Sequence, residues 1–421
     1  MGYKANITSN LINQVIRIGI GLLTSVLVAR ALGPLGQGYT AYIILIFTLL
    51  GTYGHLGLNN AVMYFQKRSS FAPDSVFRTN LTALGLIFLI LSTGMILLRA
   101  SEMVLADYDW FFIGGGLVFM LADFVFTNHH SWFIGDERIR QSNRYNITVF
   151  ILKSAAILVL WILDNLTVYS FFAVQVVAML LNAVLLHVKL GRRWRPELNT
   201  ALLKAEFRYG GIIYLGALFA FLHYRVDQFM IKLMLGTPEL GVYAVAVNIA
   251  ELLFLIPISV SSALSGRLYN SDAQTGRQLM AQTLKLSFYI CAALSLAGIP
   301  ASFLIPYVYG RAFAGAVAST VILLLGVLFA SIAKVMGPYF FSKGRPGFHL
   351  LITFVTLLLN TALNLLLIPV FGIAGASLAS SASYLVYGLF YVYLFMKVEN
   401  YPLAELLSLK RSDLLQLWRR T

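Results

Sequence analysis

The chain has 421 residues, of which 59% are hydrophobic and 11% charged, and its mean hydropathy is +0.79. Soluble domains carry about 25% charged residues, and a water-exposed surface this apolar aggregates, so the composition excludes a soluble enzyme and fits a protein whose solvent is lipid. The net charge of +14 lies in short tracts between long apolar runs, which is the pattern of membrane-flanking loops and not of a nucleic-acid-binding surface.

A membrane-spanning helix needs about 20 apolar residues. The first apolar run, at about 8–29, follows Lys4 and has no small-x-small cleavage site. It reads as a retained helix rather than a signal peptide. Further spans fall at about 39–65, 80–98, 110–133, 146–163, 168–188, 208–235, 240–264, 283–305, 314–341, 348–368 and 374–396. The expected architecture is an all-α polytopic membrane protein of about twelve transmembrane helices. Its expected divisions are an N-terminal six-helix bundle (1–188), a cytoplasmic linker (189–207), a C-terminal six-helix bundle (208–397) and a cytoplasmic tail (398–421). In the tail, Leu403, Leu406, Leu407, Leu414, Leu415 and Trp418 alternate with Lys410, Arg411, Arg419 and Arg420, the pattern of an amphipathic helix lying on the inner leaflet.

Charge sets the orientation. With the N-terminus in the cytoplasm, 23 of the 31 Lys and Arg residues fall on inner segments and only Arg30, Arg99 and Arg311 on outer ones. The positive-inside rule then places both termini in the cytoplasm.

Two turn motifs recur. Leu32-Gly33-Pro34-Leu35-Gly36 parallels Leu235-Gly236-Thr237-Pro238-Glu239, and Phe133-Ile134-Gly135-Asp136-Glu137-Arg138 parallels Phe340-Phe341-Ser342-Lys343-Gly344-Arg345. The separations, 203 and 207 residues, are nearly equal. They imply two six-helix parallel repeats with a site between them near the midplane.

Several chemistries lack their residues. A single cysteine, Cys291, allows no internal disulfide and no cysteine-based zinc site. Gly114-Gly115-Gly116 is followed by no Lys-Ser/Thr, so there is no phosphate loop for ATP hydrolysis. The neighbours His129 and His130 point apart on a helix and form no metal motif. No catalytic residue, cofactor or metal is expected.

The ionisable residues at membrane depth are the informative ones. Arg17, Lys153, Arg225, Lys232 and Lys334 are cations within spans, and Asp123, Asp227 and Glu251 are acids. Each charge facing lipid at a helix centre costs roughly 2.5–3.5 kcal/mol. They must therefore pair, snorkel or face a wet cavity. Lys232 sits near a helix end and snorkels. Arg17 and Arg225 lie near the middle of counterpart helices one and seven. With Lys153 and Lys334, they are the expected cavity cations for an anionic head group, because arginine forks match phosphate oxygens. Asp123, Asp227 and Glu251 are candidates for coupling to H+ or Na+, or for structural salt bridges. Asp227 lies two residues from Arg225, so it points away from it and toward another helix. Asn360 and Asn364, one turn apart, serve either as sugar contacts or as clamps between helices.

The segments Ala29–Gly38, Gly54–Ala61, Arg225–Ala246 and Asn360–Ala376 resemble, in order and placement, the helix ends of polysaccharide-export flippases in the multidrug/oligosaccharidyl-lipid/polysaccharide exporter superfamily. That resemblance implies a V-shaped pair of bundles around a central cavity that works by alternating access. It also implies the function of a flippase moving an undecaprenyl-pyrophosphate-linked oligosaccharide from the inner to the outer leaflet. The implied partners are that substrate, membrane lipids and the polymerase and glycosyltransferases of the same pathway. The two extra C-terminal helices usual in lipid II flippases have no counterpart in the sequence. The alternative reading within the superfamily is an organic cation antiporter, which calls for a net acidic cavity. A membrane glycosyltransferase or polymerase is disfavoured by the short outer loops, and a passive scaffold leaves five intramembrane cations without a purpose.

Overall fold

The computed structural model describes residues 3–68, 71–269 and 272–408. The helices are α1 (Tyr3–Gly54), α2 (Leu58–Arg68), α3 (Pro73–Ala100), α4 (Trp110–Gly135), α5 (Ile139–Ile162), α6 (Val168–Leu190), α7 (Thr200–Met234), α8 (Thr237–Ala250), α9 (Leu255–Tyr269), α10 (Ala273–Ser302), α11 (Ile305–Val308), α12 (Ala316–Ser342), α13 (Pro346–Glu399) and α14 (Leu403–Leu407). Two 3-10 turns, Glu251–Phe254 and Arg311–Phe313, complete the set. Among the described residues ten helical segments are long and apolar enough to cross a membrane. The protein is an all-helical, multi-pass membrane protein.

The two longest helices are bent at a glycine. Inside α1, Gly33 has φ +63°, and inside α13, Gly372 has φ +58°. Only glycine takes such angles without steric cost. In α13 the result is a hairpin. His349 Nδ1 lies 2.6 Å from the Tyr391 hydroxyl, 42 residues away, whereas a straight helix would separate them by roughly 60 Å. Gly375 sits so close behind the bend that a Cβ would collide with the Leu367 carbonyl oxygen. In α1 a Cβ on Gly36 would lie 2.9 Å from Leu32 Cβ, about half the spacing of helical i,i+4 neighbours.

The expected second span, 39–65, is also interrupted. Leu56 and Gly57 have positive φ and separate α1 from α2. The carbonyl of Tyr53 is taken by the Tyr214 hydroxyl at 3.0 Å. A Cβ on Gly57 would stand 2.9 Å from Tyr214 Cβ, so the break fits only glycine against α7. The seventh helix begins at Thr200 rather than near 208, because Leu202 and Glu206 are buried on that first turn and a half.

By contact density the chain forms two compact units. One comprises Ile20–Leu218; the other begins at Phe219 and includes the start of α1. In the first unit, Val28, Ile157 and Leu166 make one apolar cluster, and Ala61, Val62, Phe65, Val76, Phe77, Trp132 and Leu202 another. In the second unit α12 is the most buried of the membrane-length helices. Small residues make this possible: Gly326 meets the Ser381 backbone, and Gly388 leaves no room for a Cβ beside the Phe329 carbonyl. The run Ala379-Ser380-Ser381-Ala382-Ser383 lets α13 approach closely, as small residues do between membrane helices.

The positive-φ residues carry a repeat. Gly33 pairs with Gly236, Glu137 with Gly344, Asp164 with Gly372, and Gly191 with Asn400, at separations rising from 203 to 209. The turns after α4 and α12 match bond for bond: Arg138 N donates to Phe133 O at 2.8 Å, and Arg345 N to Phe340 O at 3.0 Å. Each is a helix C-terminus closed by a left-handed residue. Asn400 ends α13 in the same conformation. Beyond the short α14, residues 409–421 of the expected amphipathic tail lie outside the described residues.

Candidate functional site

The polar residues of the second unit gather on one stretch of α7, from His223 to Asp227. Neighbouring elements hold this stretch on several sides. Pro257 explains the most distinctive of them. A proline has no N–H and its ring crowds the carbonyl four residues back, here Leu253. The helix accordingly breaks into the 3-10 turn Glu251–Phe254 between α8 and α9. The orphaned Leu253 carbonyl faces the Cys291 thiol at 3.9 Å. Glu251 therefore sits on a hinge in mid-span, where its side chain escapes the regular helical direction.

Arg225 meets Glu251 in a fork-to-fork pair, Nη1 to Oε1 and Nη2 to Oε2, both 2.8 Å. The side chains remain 25% and 24% exposed, so the pair is reachable by a ligand. Of the alternatives open to these residues, in this conformation Arg225 and Glu251 take the ion pair, each being the other's counter-ion. Lys334, from α12, places its ammonium 4.3 Å from the centre of the Tyr224 ring and 5.0 Å from that of Phe254. Among the described residues it has no carboxylate within ion-pair distance. Ring faces attract a cation while leaving its N–H groups available.

Asp227 is buried and points away from Arg225, as the helical spacing requires. It accepts hydrogen bonds from Tyr243 on α8 (2.5 Å), from Ser380 on α13 (2.8 Å) and from the backbone of Gln228 (2.7 Å). His223 lies 3.0 Å from the Ser383 hydroxyl. Asn360 donates to the His223 carbonyl at 2.9 Å, and Asn364 donates to the Asn360 carbonyl at 2.9 Å. Both asparagines are fully buried. Their bonds go to the protein, which favours the clamp over the sugar contact in this conformation.

In the first unit, Asp123 is buried on α4 and accepts from the Thr52 hydroxyl at 3.2 Å. Gly51 makes room for it, since a Cβ there would stand 2.5 Å from Asp123 Oδ2. No ion pair among the described residues includes Asp123. Lys153 donates to Gln175 Oε1 at 3.2 Å and lies 5.6 Å from the Phe150 ring. The side chain of Arg17 lies outside the described residues.

Sequence reading missed Glu206, assigned above to the linker. It is buried, accepts from Asn80 Nδ2 at 2.9 Å, and its second carboxylate oxygen has no hydrogen-bond partner among the described residues. Its polar neighbours Lys204 and Arg208 hid it from a hydropathy window. Tyr224, Tyr243 and Phe254 were likewise indistinguishable from the other aromatic residues of the spans. No group of three or more His, Cys, Asp or Glu able to hold a metal ion occurs among the described residues.

The architecture is shared with solved transporters. A lipid II flippase, MurJ, in an inward closed conformation superposes with a TM-score of 0.73 at 13% identity, covering 97% of this chain and 91% of that one. An inward-facing multidrug resistance MATE family transporter gives 0.65 at 12% identity, with 92% and 98% covered. A transporter from Pyrococcus furiosus, described as having a binding pocket of reverse polarity, gives 0.61 at 11% identity, with 93% and 95% covered. No curated protein matches at a significant level. The fold is that of the MOP superfamily of membrane transporters. Within it, the sequence pattern of polysaccharide biosynthesis proteins matches residues 3–269. The chain belongs to that family.

Proposed function

We propose that the protein is a flippase that moves a polyprenyl-pyrophosphate-linked oligosaccharide from the inner to the outer leaflet by alternating access. The observation that carries this reading is the family match over more than half of the chain, on a fold of the MOP superfamily. In this reading the bends at Gly33 and Gly372 turn two long helices into four spans. Twelve crossings then fall into two six-helix repeats, with both termini cytoplasmic and a cavity between the bundles.

Lys334 and Arg225 receive the head group. Glu251 occupies the Arg225 fork when no substrate is bound. A pyrophosphate carries more charge and more acceptor oxygens than a carboxylate, so it competes for the fork. Its arrival releases Glu251, which sits on the hinge made by Pro257, and this couples occupancy to rearrangement of the span. Lys153 and Arg17 are the corresponding cations of the N-terminal half. Asp123 and Asp227 are the candidates for ion coupling. The hydrophobic tail stays in lipid throughout. An organic cation antiporter remains the alternative within the fold.

Reconstitution separates the two readings. Proteoliposomes holding the full chain should translocate a lipid-linked oligosaccharide and leave an organic cation dye untransported. Transport of the dye without the lipid would overturn the proposal.

A further inference from the structure

A second concentration of arginine lies in the first unit, apart from the α7 cluster. Where the start of α3 and the ends of α4 and α6 meet, they border an open cleft of about 600 Å³, within the usual range for small-ligand sites. Arg78, Arg138, Arg192 and Arg193 line it together with Asp74 and Asp136, four positive charges against two negative.

The positive charge is only partly answered by the protein. Arg192 is bound to Asp74 at 2.7 Å. Arg138 aims its fork at Gln141, a neutral partner, at 2.9 and 2.6 Å. Arg78 reaches Glu197 only at 3.7 Å, and its Nε is buried without a hydrogen-bond partner. Arg193 is exposed and takes part in no ion pair among the described residues. Rings keep part of the wall in place: Arg192 lies 4.3 Å from the Trp132 ring centre and Arg138 4.8 Å from that of Phe133.

Position identifies the ligand class. α3, α4 and α6 are membrane-length helices, and the cavity lies at their ends, at the depth of lipid head groups. Val188 on the last turn of α6 is 65% exposed, and Trp194 just beyond the cavity is 52% exposed. Leu190 lines the cavity itself, and with these two exposed chain neighbours it puts apolar surface beside the arginines, where a Trp suits a membrane interface. A phosphate-bearing head on a hydrocarbon tail satisfies both features. Two aspartates in the lining disfavour a simple anionic phospholipid, but carboxylates accept hydrogen bonds from sugar hydroxyls.

We propose that this pocket is the loading site for the diphosphate and first sugar of the lipid-linked substrate, on the leaflet from which transport begins. The proposal rests on the flippase reading above. It adds a station outside the α7 cluster, at the face that the positive-inside rule assigns to the cytoplasm.

The test is binding to the full chain in detergent, by native mass spectrometry, with three probes: a short polyprenyl diphosphate carrying one sugar, the same polyprenyl as a monophosphate, and phosphatidylglycerol. Arg193→Glu reverses a side chain that has no ion-pair partner among the described residues, and Arg78→Gln/Arg193→Gln removes two positive charges; thermal melting confirms that both remain folded. The sugar diphosphate should bind at least about tenfold more weakly to both variants, the monophosphate should lose less, and phosphatidylglycerol should be unaffected. Equal losses for phosphatidylglycerol would overturn the proposal in favour of a general anionic-lipid site. Unchanged binding and flipping in both variants would overturn it while leaving the flippase reading intact. A wild-type protein that neither binds nor flips the sugar diphosphate would instead remove the flippase reading and this inference with it.

Discussion

The bidentate contact between Arg225 and Glu251 changes what a mutation at either residue means. Removing Arg225 alone strands a carboxylate in mid-span, and breaking a charge pair of this kind costs several kcal/mol when it is buried. The pair is a quarter exposed, so about 2 kcal/mol is the expected loss. Arg225→Ala should therefore lower the melting temperature as well as transport. Arg225→Ala/Glu251→Ala should recover most of the melting temperature and none of the transport. A double variant as unstable as the single would mean that the pair is not the stabilising contact. Both residues stand out in the sequence, since ionisable groups in spans are rare. Their pairing was not legible, because residues 26 apart meet only through the packing that follows the turn at Gly236 between α7 and α8. Glu206 was lost for the opposite reason: its polar neighbours outweighed its burial against Asn80.

At the scale of elements, the legible features are those written in glycine and proline. Gly33, Gly236 and Gly344 mark turns in the sequence, and each has positive φ in the structure. The break at Gly57 was hidden inside an apolar run that reads as one continuous span, because tertiary contact with Tyr214 and not local composition decides it. Pro257 is the element-scale prediction. Pro257→Ala restores a donor facing the Leu253 carbonyl, and a proline in a helix interior costs about 3 kcal/mol relative to alanine. The variant should melt higher and transport more slowly, because Glu251 would then sit on a regular helix. Unchanged transport together with higher stability would show that the 3-10 turn has no part in the cycle.

For the whole molecule, hydrophobicity alone pointed to membrane-length helices, of which the structure has ten among the described residues, and the alternation of charged connections proposes their direction. The orientation has a direct test. Cys291 is buried and is the sole cysteine, so replacing it gives a background for labelling. A cysteine at Ser101, between α3 and α4, should react with a membrane-impermeant maleimide in intact cells. One at Asn199, before α7, should react only after permeabilisation. The reverse pattern would invert the topology, and with it the leaflet assigned to the arginine pocket. Left-handed residues at helix ends recur at separations of 203 to 209 residues, close to the 203 and 207 that separate the two turn motifs in the sequence.

Lys334 offers the most direct measurement. Among the described residues it is the cation of the α7 cluster that lies against ring faces and in no ion pair, and so the one the proposal assigns to a substrate phosphate. In proteoliposomes, Lys334→Gln should lower the initial rate of lipid-linked oligosaccharide flipping at least about tenfold, a barrier of about 1.4 kcal/mol, while Lys334→Arg keeps most of it. Equal rates for wild type and Lys334→Gln, with both proteins folded, would contradict the claim that intramembrane positive charge receives the diphosphate.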